Sequence, residues 1–159
     1  MDVKIILGLD PGIVNTGWAI LKASGQNIVG LISGTIKTTT DNSLPKRIAY
    51  IANEISKIID IYQPSCAAVE EIFINKNPRS SIKLSHARGA LLAACAQKSL
   101  NISEFSPTQV KKTVTGVGRA DKAQINYMIK LLIKNAAPKT EHESDAYAVG
   151  YTAIISPLA

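Results

Sequence analysis

Three carboxylates and one imidazole stand where they could together bind divalent cations. Asp10 and Glu70 each end a short apolar run, and His142 and Asp145 lie three residues apart near the C-terminus. A carboxylate at the end of a buried strand is costly unless a partner offsets its charge, and a bound cation would do so. Three carboxylates with one imidazole suit Mg²⁺ and also accept Mn²⁺.

Such a set matches the needs of phosphodiester hydrolysis. That reaction requires hydroxide at neutral pH and stabilisation of charge on the phosphoryl oxygens, and two divalent ions about 3.5 to 4 Å apart provide both. We expect Asp10 to bridge the two ions. Glu70 would complete the shell of one ion, and Asp145 with His142 the shell of the other.

Each of these residues also has an ordinary structural explanation. Asp10 could be a turn residue, Glu70 and Glu71 a solvated pair, and Asp145 a charge that complements a helix dipole. Only their combination argues for a site.

The charge distribution points to a polyanionic partner. The 159-residue chain carries 18 Lys and Arg against 12 Asp and Glu, a formal net charge of +6. Residues 72–139 hold twelve of these cations and only two acids, Glu104 and Asp121. A field of this kind steers a nucleic-acid backbone towards the protein, although a solvated basic surface is the simpler alternative. The acids lie mainly outside this segment, which favours nucleic acid.

Hydrophobic periodicity and turn residues predict an α/β protein. We expect strands at 4–10, 16–21, 27–37, 66–70 and 102–105, and helices at 44–62, 80–98, 108–114, 121–134 and 143–155. The first three strands would be antiparallel, with a turn at Ser24-Gly25, and the strand–helix–strand unit over 66–105 would pair in parallel. Thr140 or Ser144 would cap the last helix. The result is a mixed five-stranded sheet with helices on both faces.

These elements would position the four candidate ligands. If the first and fourth strands are neighbours, Asp10 and Glu70 emerge together at one edge of the sheet. His142 and Asp145 would share one face of the last helix near its first turn, whereas Glu143 would point away.

The remaining features predict a single soluble domain. No Pro/Gly/Ser-rich linker divides residues 1–159, and no apolar run approaches the length that spans a bilayer. The apolar N-terminal run is interrupted by Asp10 and lacks a small-residue cleavage site, so we expect a cytoplasmic protein without a membrane partner. Cys66 and Cys95 lack metal-ligand spacing, which favours buried free thiols.

Four separated blocks of the sequence resemble the RuvC family of bacterial Holliday junction resolvases. They are ILGLDPGIVNTGWAIL, VEEIFINKNPRSSIKLSHARGALLAA, SPTQVKKTVTGVGRADKAQI and ESDAYAVGY, and together they span nearly the whole chain. The resemblance implies an RNase H-like fold, a homodimer and Mg²⁺-dependent paired symmetric nicks in a four-way DNA junction during recombination and DNA repair. It also implies the branch-migration proteins RuvA and RuvB as partners.

The resemblance assigns roles to individual residues. The family's catalytic acids fall on Asp10, Glu70 and Asp145, and its fourth position falls on His142, where some members have aspartate. Lys111 and Lys122 match lysines that approach the DNA backbone near the cut, and Lys122 is the one expected to act in catalysis. The resemblance further implies that the aromatic ring of Phe73 stacks on an unpaired base. It also implies a row of phosphate contacts by Arg79, Lys83, Arg88 and Arg119. It places a dimer interface in the helix from Ser80 onward.

Three alternatives remain at this stage. The string LGLDPGxxxTG also resembles the first phosphate loop of sugar kinases and actin-like ATPases. A non-catalytic nucleic-acid-binding module would explain the basic segment but not the four ligands. An RNase H-like nuclease that acts on RNA or simple duplex DNA would use the same metal chemistry, because that chemistry does not select the substrate.

Overall fold

The computed structural model describes residues 2–72 and 77–156. The elements, in chain order, are β1 (Val3–Asp10), β2 (Asn15–Ser24), β3 (Asn27–Lys37), α1 (Leu44–Tyr62), β4 (Cys66–Glu70), α2 (Pro78–Gln97), β5 (Asn101–Phe105), α3 (Pro107–Thr115), α4 (Lys122–Leu132) and α5 (Glu141–Ile155). Every predicted strand and helix is therefore found, with shifts at the ends.

The five strands form one mixed sheet in the order β3-β2-β1-β4-β5. Strands β1, β2 and β3 pair antiparallel, whereas β4 pairs parallel to both β1 and β5. The antiparallel opening and the parallel β4–α2–β5 unit are both as predicted.

Helices cover both faces of the sheet, as predicted, and divide the core in two. On one face, α1 and α2 pack on apolar side chains such as Leu7, Leu9 and Val69. On the other face, α3, α4 and α5 pack on Ala19, Leu21 and other residues of the sheet. The alternation of side chains along each strand supplies both cores, because successive residues point to opposite faces.

Several predicted boundaries are wrong: β2 continues to Ser24 rather than ending at 21, and α4 ends at Leu132 rather than at 134. At two helix starts, local capping explains the difference. Helix α5 begins at Glu141 rather than at 143, because the Thr140 hydroxyl accepts a hydrogen bond from the Glu143 amide. Asp121 caps α4 instead of belonging to it, in a reciprocal capping box with Gln124.

The cysteines are free, as predicted, but only one is fully buried. Cys95 is buried, and burial raises the pKa of its thiol to about 11. Cys66 is half-buried at the start of β4, so the expectation of a buried thiol is wrong there. In the part of the chain that the structure describes, no helix is long and apolar enough to cross a membrane.

Candidate active site

The sheet brings Asp10 and Glu70 to one edge. Strands β1 and β4 are parallel neighbours, with Leu9 opposite Val69, so the next residue of each strand emerges side by side at their carboxyl ends. The Asp10 side chain is only 15% exposed, and Glu70 is half-buried. The adjacency that the sequence only suggested is therefore present.

Helix α5 delivers His142 and Asp145 to the same edge. It crosses the sheet so closely that an ideal Cβ on Gly17 would stand within 3.0 Å of the His142 carbonyl group, and one on Gly8 would clash with the Ala146 carbonyl oxygen. The absence of side chains at these two glycines lets the backbone of α5 rest on β1 and β2. His142 Nδ1 then lies 3.2 Å from Asp10 Oδ2.

The electrostatics of the cluster show negative charge that nearby cations compensate only in part. Burial, and then the charges of Asp10 and Asp145, raise the pKa of Glu70 to about 7. Burial and the Asp10 charge likewise raise the pKa of Asp145 to about 6. The hydrogen bond to Asp10 raises the pKa of His142 above its usual value. The three carboxylates thus repel one another in a partly desolvated cleft, which favours binding of a cation.

Two lysines form the cationic wall of the cleft. Lys122 Nζ lies 3.2 Å from Glu141 Oε1 and 3.9 Å from Asp145 Oδ2. Burial lowers the pKa of Lys122, but the hydrogen bond to Glu141 and the nearby carboxylates raise it by more, so this side chain is a cation at neutral pH. Lys111, on α3, lines the cleft near Glu70, and its charge opposes the rise in the pKa of that carboxyl.

The resulting cleft has a volume of about 350 Å³. All four predicted ligands and both lysines line it, together with Asn15 and the Pro11-Gly12 turn. Within residues 2–72 and 77–156, no three His, Cys, Asp or Glu side chains are arranged so that they could hold a metal ion as they stand. His142 instead pairs with Asp10, and Lys122 lies near Asp145. The donor set has the oxygen-rich chemistry that divalent ions prefer, and it converges on one cleft.

Comparison with known proteins identifies the family. The family described as Crossover junction endodeoxyribonuclease RuvC matches residues 6–153. The enzyme of that name from Rickettsia typhi is 45% identical over 153 residues, covering 96% of this chain and 98% of the relative. Its counterpart from Azorhizobium caulinodans is 43% identical over 147 residues, covering 92% and 87%. The chain belongs to the RuvC family.

Solved structures agree with this assignment. The structure of Thermus thermophilus RuvC superposes with a TM-score of 0.85 at 26% identity, over 94% of this chain and 93% of that one. T. thermophilus RuvC in complex with a Holliday junction substrate gives 0.88 at 25% identity, over 95% and 93%. The predicted RNase H-like fold is confirmed, and the chain is a nuclease that hydrolyses phosphodiester bonds. The RuvC-type nuclease fold implies a dependence on divalent metal ions, and the match decides against the ATPase and the non-catalytic alternatives.

The other predicted DNA contacts of this RuvC-family chain lie apart from the cleft. Arg79, Lys83 and Arg119 are exposed and do not line it. Phe73 lies outside the described residues. Arg88 is only 16% exposed; its Nη2 lies 3.0 Å from Glu104 Oε2, and its Nε lies 3.4 Å from the Glu70 carbonyl oxygen. Arg88 thus supports the end of β4 and is less available to phosphate than the sequence suggested.

Sequence reasoning missed the role of Glu143. Its side chain points away from the cleft, as expected, but it is 4% exposed and accepts hydrogen bonds from Ser33 Oγ at 2.7 Å and Thr140 Oγ1 at 3.2 Å. These bonds fix the first turn of α5, which carries His142, to strand β3. The signature Thr-x-x-Glu over 140–143 marks a helix start and offered the signal.

Proposed function

We propose that this RuvC-family nuclease resolves four-way DNA junctions through the cleft between β1, β4 and α5, with Asp10, Glu70, His142 and Asp145 as metal ligands. The observation that supports this best is the convergence of three carboxylates and one imidazole, drawn from three elements, on a cleft with two lysines. The named relatives are crossover junction endodeoxyribonucleases, and one superposed relative was solved with a Holliday junction. Residues 1–159 would act as one nuclease domain.

The proposed cofactor is a pair of Mg²⁺ ions, for which Mn²⁺ would substitute. When bound, such ions lower the pKa of a bound water and neutralise charge on the phosphoryl oxygens. Asp10 would contribute to both ions, because its strand is paired with that of Glu70 and its carboxylate hydrogen-bonds to His142. In a neutral imidazole whose Nδ1–H is donated to Asp10, Nε2 is the remaining ligand atom of His142. Metal binding would draw Asp145 away from Lys122.

Lys111 and Lys122 would supply positive charge to the DNA phosphates. Lys122 would release Asp145 when the metal binds and donate hydrogen bonds to a non-bridging oxygen of the scissile phosphate. Charge that grows on that oxygen in the transition state then meets an ammonium group that is already in place. Lys111 would hold the neighbouring backbone as a point charge. Arg79, Lys83, Arg119 and Phe73 remain proposed DNA contacts further along the strand.

Paired nicks in a twofold substrate require two active sites, so we propose a homodimer. Ala93 and Ala96 lie exposed on α2, together with Ile82, which is 58% exposed. This exposed small and apolar face supports α2 as the interface. RuvA and RuvB are the proposed branch-migration partners.

Cleavage of a labelled synthetic four-way junction tests the function. Linear duplex and an RNA/DNA hybrid serve as controls, each in Mg²⁺, Mn²⁺ and EDTA. We expect paired nicks confined to the junction, in either metal but not in EDTA. Junction binding without cutting would contradict the catalytic proposal, and equal cutting of the controls would contradict junction selectivity.

A further inference from the structure

A second pocket of about 410 Å³ lies between the end of β3 and the start of α1. Its lining includes three cations, Lys37, Lys46 and Arg47, and the polar residues Thr39 and Asn42, but no acid. In the part of the chain that the structure describes, neither Lys37 nor Lys46 forms an ion pair. The pocket therefore carries positive charge that no carboxylate in the described ranges pairs with directly, although Asp41 in the same loop and Glu54 on α1 lie near it.

The most buried of these cations is Arg47, which is only 7% exposed. Its Nε donates to Thr38 Oγ1 at 2.9 Å, and its Nη2 donates to the Ile13 carbonyl oxygen at 3.4 Å. Both acceptors are neutral, and no carboxylate among the described residues pairs with this guanidinium. Because burial of a charge without a counter-ion is costly, an anion in the pocket would stabilise this arrangement.

The backbone amides at the start of α1 add to the positive electrostatic potential of the pocket. Ser43 occupies the N-cap position, but its side chain accepts no capping hydrogen bond. The first intrahelical bond runs from the Arg47 amide to the Ser43 carbonyl oxygen. The amides of Leu44 and Lys46 precede that bond. Amide groups at this end of a helix, together with the helix dipole, favour phosphate.

The pocket lies beside the acidic cleft on the same edge of the sheet. Lys37 on β3 pairs with Asn15 on β2, and Asn15 lines the cleft. Asp10 is level with Thr35 on β3, and Lys37 lies two residues further along that strand. With strands about 4.8 Å apart and a rise of about 3.4 Å per residue, the Lys37 backbone stands ~12 Å from that of Asp10. The turn after Asp10, which includes Ile13 and Val14, joins the two sites directly. The Thr38 amide donates a hydrogen bond to the Val14 carbonyl oxygen, and the Thr38 hydroxyl donates one to the Ile13 carbonyl oxygen.

We propose that this pocket binds a backbone phosphate of the same DNA strand that enters the acidic cleft. The proposal rests on the proposed function, because it takes nucleic acid as the substrate of the cleft. Lys111 and Lys122 would hold the strand on one side of the acids, and Lys37, Lys46 and the α1 amides on the other. A DNA strand that is held on both sides of the acids cannot slide along the edge of the sheet. The pocket would therefore fix which phosphodiester is cut.

The test is the affinity for a four-way junction, measured by fluorescence anisotropy in EDTA over a range of salt concentrations. The double variant Lys37→Gln/Lys46→Gln removes two exposed charges and leaves the buried Arg47 in place. The control is Lys4→Gln, an exposed lysine near the opposite end of β1. Each lost phosphate contact lowers the slope of log affinity against log salt by about 0.9. We expect a fall of about 1 to 2 in the slope, and an affinity loss of at least about tenfold, only in the double variant.

Neutral methylphosphonate linkages, placed one at a time near the cut, locate the contact. In the unaltered protein one position should weaken binding, and in the double variant that position should have no further effect. A double variant that binds like Lys4→Gln would overturn the proposal. Inorganic phosphate that shifts thermal unfolding only of the unaltered protein, with unchanged junction affinity, would indicate a free-anion site and also overturn it. If the unaltered protein binds no junction at all, the proposed function itself fails.

Discussion

The acidic cleft has two halves that are held in different ways. Asp10 and Glu70 form the strand half, placed by the backbone ladder of two adjacent parallel strands. His142 and Asp145 form the helix half, placed by the packing of α5 on glycines and by a side-chain network around Glu143. A backbone ladder fixes a position whatever the side chains are, whereas helix packing depends on a few particular residues. The helix half is therefore where substitutions outside the four proposed ligands should change catalysis.

The strand half should show the largest single effect. Asp10→Asn keeps the shape of the side chain but removes the charge that both proposed ions share. We expect junction cleavage in Mg²⁺ to fall by at least ~10³-fold, because several kcal/mol of charge stabilisation are lost. Junction affinity in EDTA should be little changed, since no phosphate contact is removed. A large loss of affinity would mean that Asp10 acts mainly on DNA binding or folding.

Lys122 tests whether the cationic wall acts in the chemical step. Lys122→Ala removes the ammonium group near Asp145 and should lower the single-turnover cleavage rate by about 10²-fold, the usual scale for one transition-state donor. Junction affinity should fall only a few-fold, as for one phosphate contact. Equal losses of rate and affinity would make Lys122 a simple phosphate anchor.

A substitution at Gly17 tests the close packing of α5 on β2 without altering any of the four proposed ligands. Gly17→Ala places a Cβ against the His142 carbonyl group, and backbone there cannot move aside as a flexible side chain would. We expect a loss of about 1 to 3 kcal/mol in the free energy of unfolding and slower cleavage at saturating DNA.

Gly89→Ala is the matched control. Gly89 lies on the exposed face of α2 that is proposed as the dimer interface, so unfolding is compared at concentrations where the protein is monomeric. Within one subunit, an added Cβ there meets nothing within 4 Å. Helix propensity predicts a gain of roughly 0.5 to 1 kcal/mol. If both alanines had the same effect in urea unfolding, close packing of α5 would not be what Gly17 provides.

The two halves also differ in how far the sequence could predict them. The ends of β1 and β4 are marked locally, by an apolar run followed by Pro-Gly or by a second acid, so Asp10 and Glu70 were placed to the residue, whereas the end of β2 was predicted three residues early. The start of α5 was predicted two residues late, because the apolar periodicity of a helix does not show where its capping hydrogen bonds form. Arg47 was missed for another reason: a cation within an amphipathic pattern predicts an exposed side chain, and only the tertiary fold places it over the turn at Ile13.

Glu143 tests the network that anchors the helix half. Glu143→Ala leaves Ser33 and Thr140 without their buried acceptor, which should cost about 1 to 3 kcal/mol of unfolding free energy. Cleavage at saturating DNA should fall while junction affinity holds, because His142 and Asp145 lose their orientation and the phosphate contacts do not. Glu143→Gln retains one acceptor oxygen and should restore most of the rate. No rescue by Gln at restored stability would contradict a positioning role.

The pH dependence of stability without metal reports on both halves at once. A carboxyl whose pKa is raised by folding stabilises the protein fully below its unfolded pKa, and this stabilisation is lost as the pH rises through the folded value. For Glu70 the loss runs from about 4.5 to about 7, and for Asp145 from about 3.8 to about 6. Urea unfolding in EDTA should therefore show lower stability at pH 8 than at pH 5, and Glu70→Gln should flatten the difference. Mg²⁺ should stabilise more at pH 8 than at pH 5, because it binds the ionised carboxylates. A Mg²⁺ effect that is equal at both pH values would mean that the ion is not bound by these carboxylates.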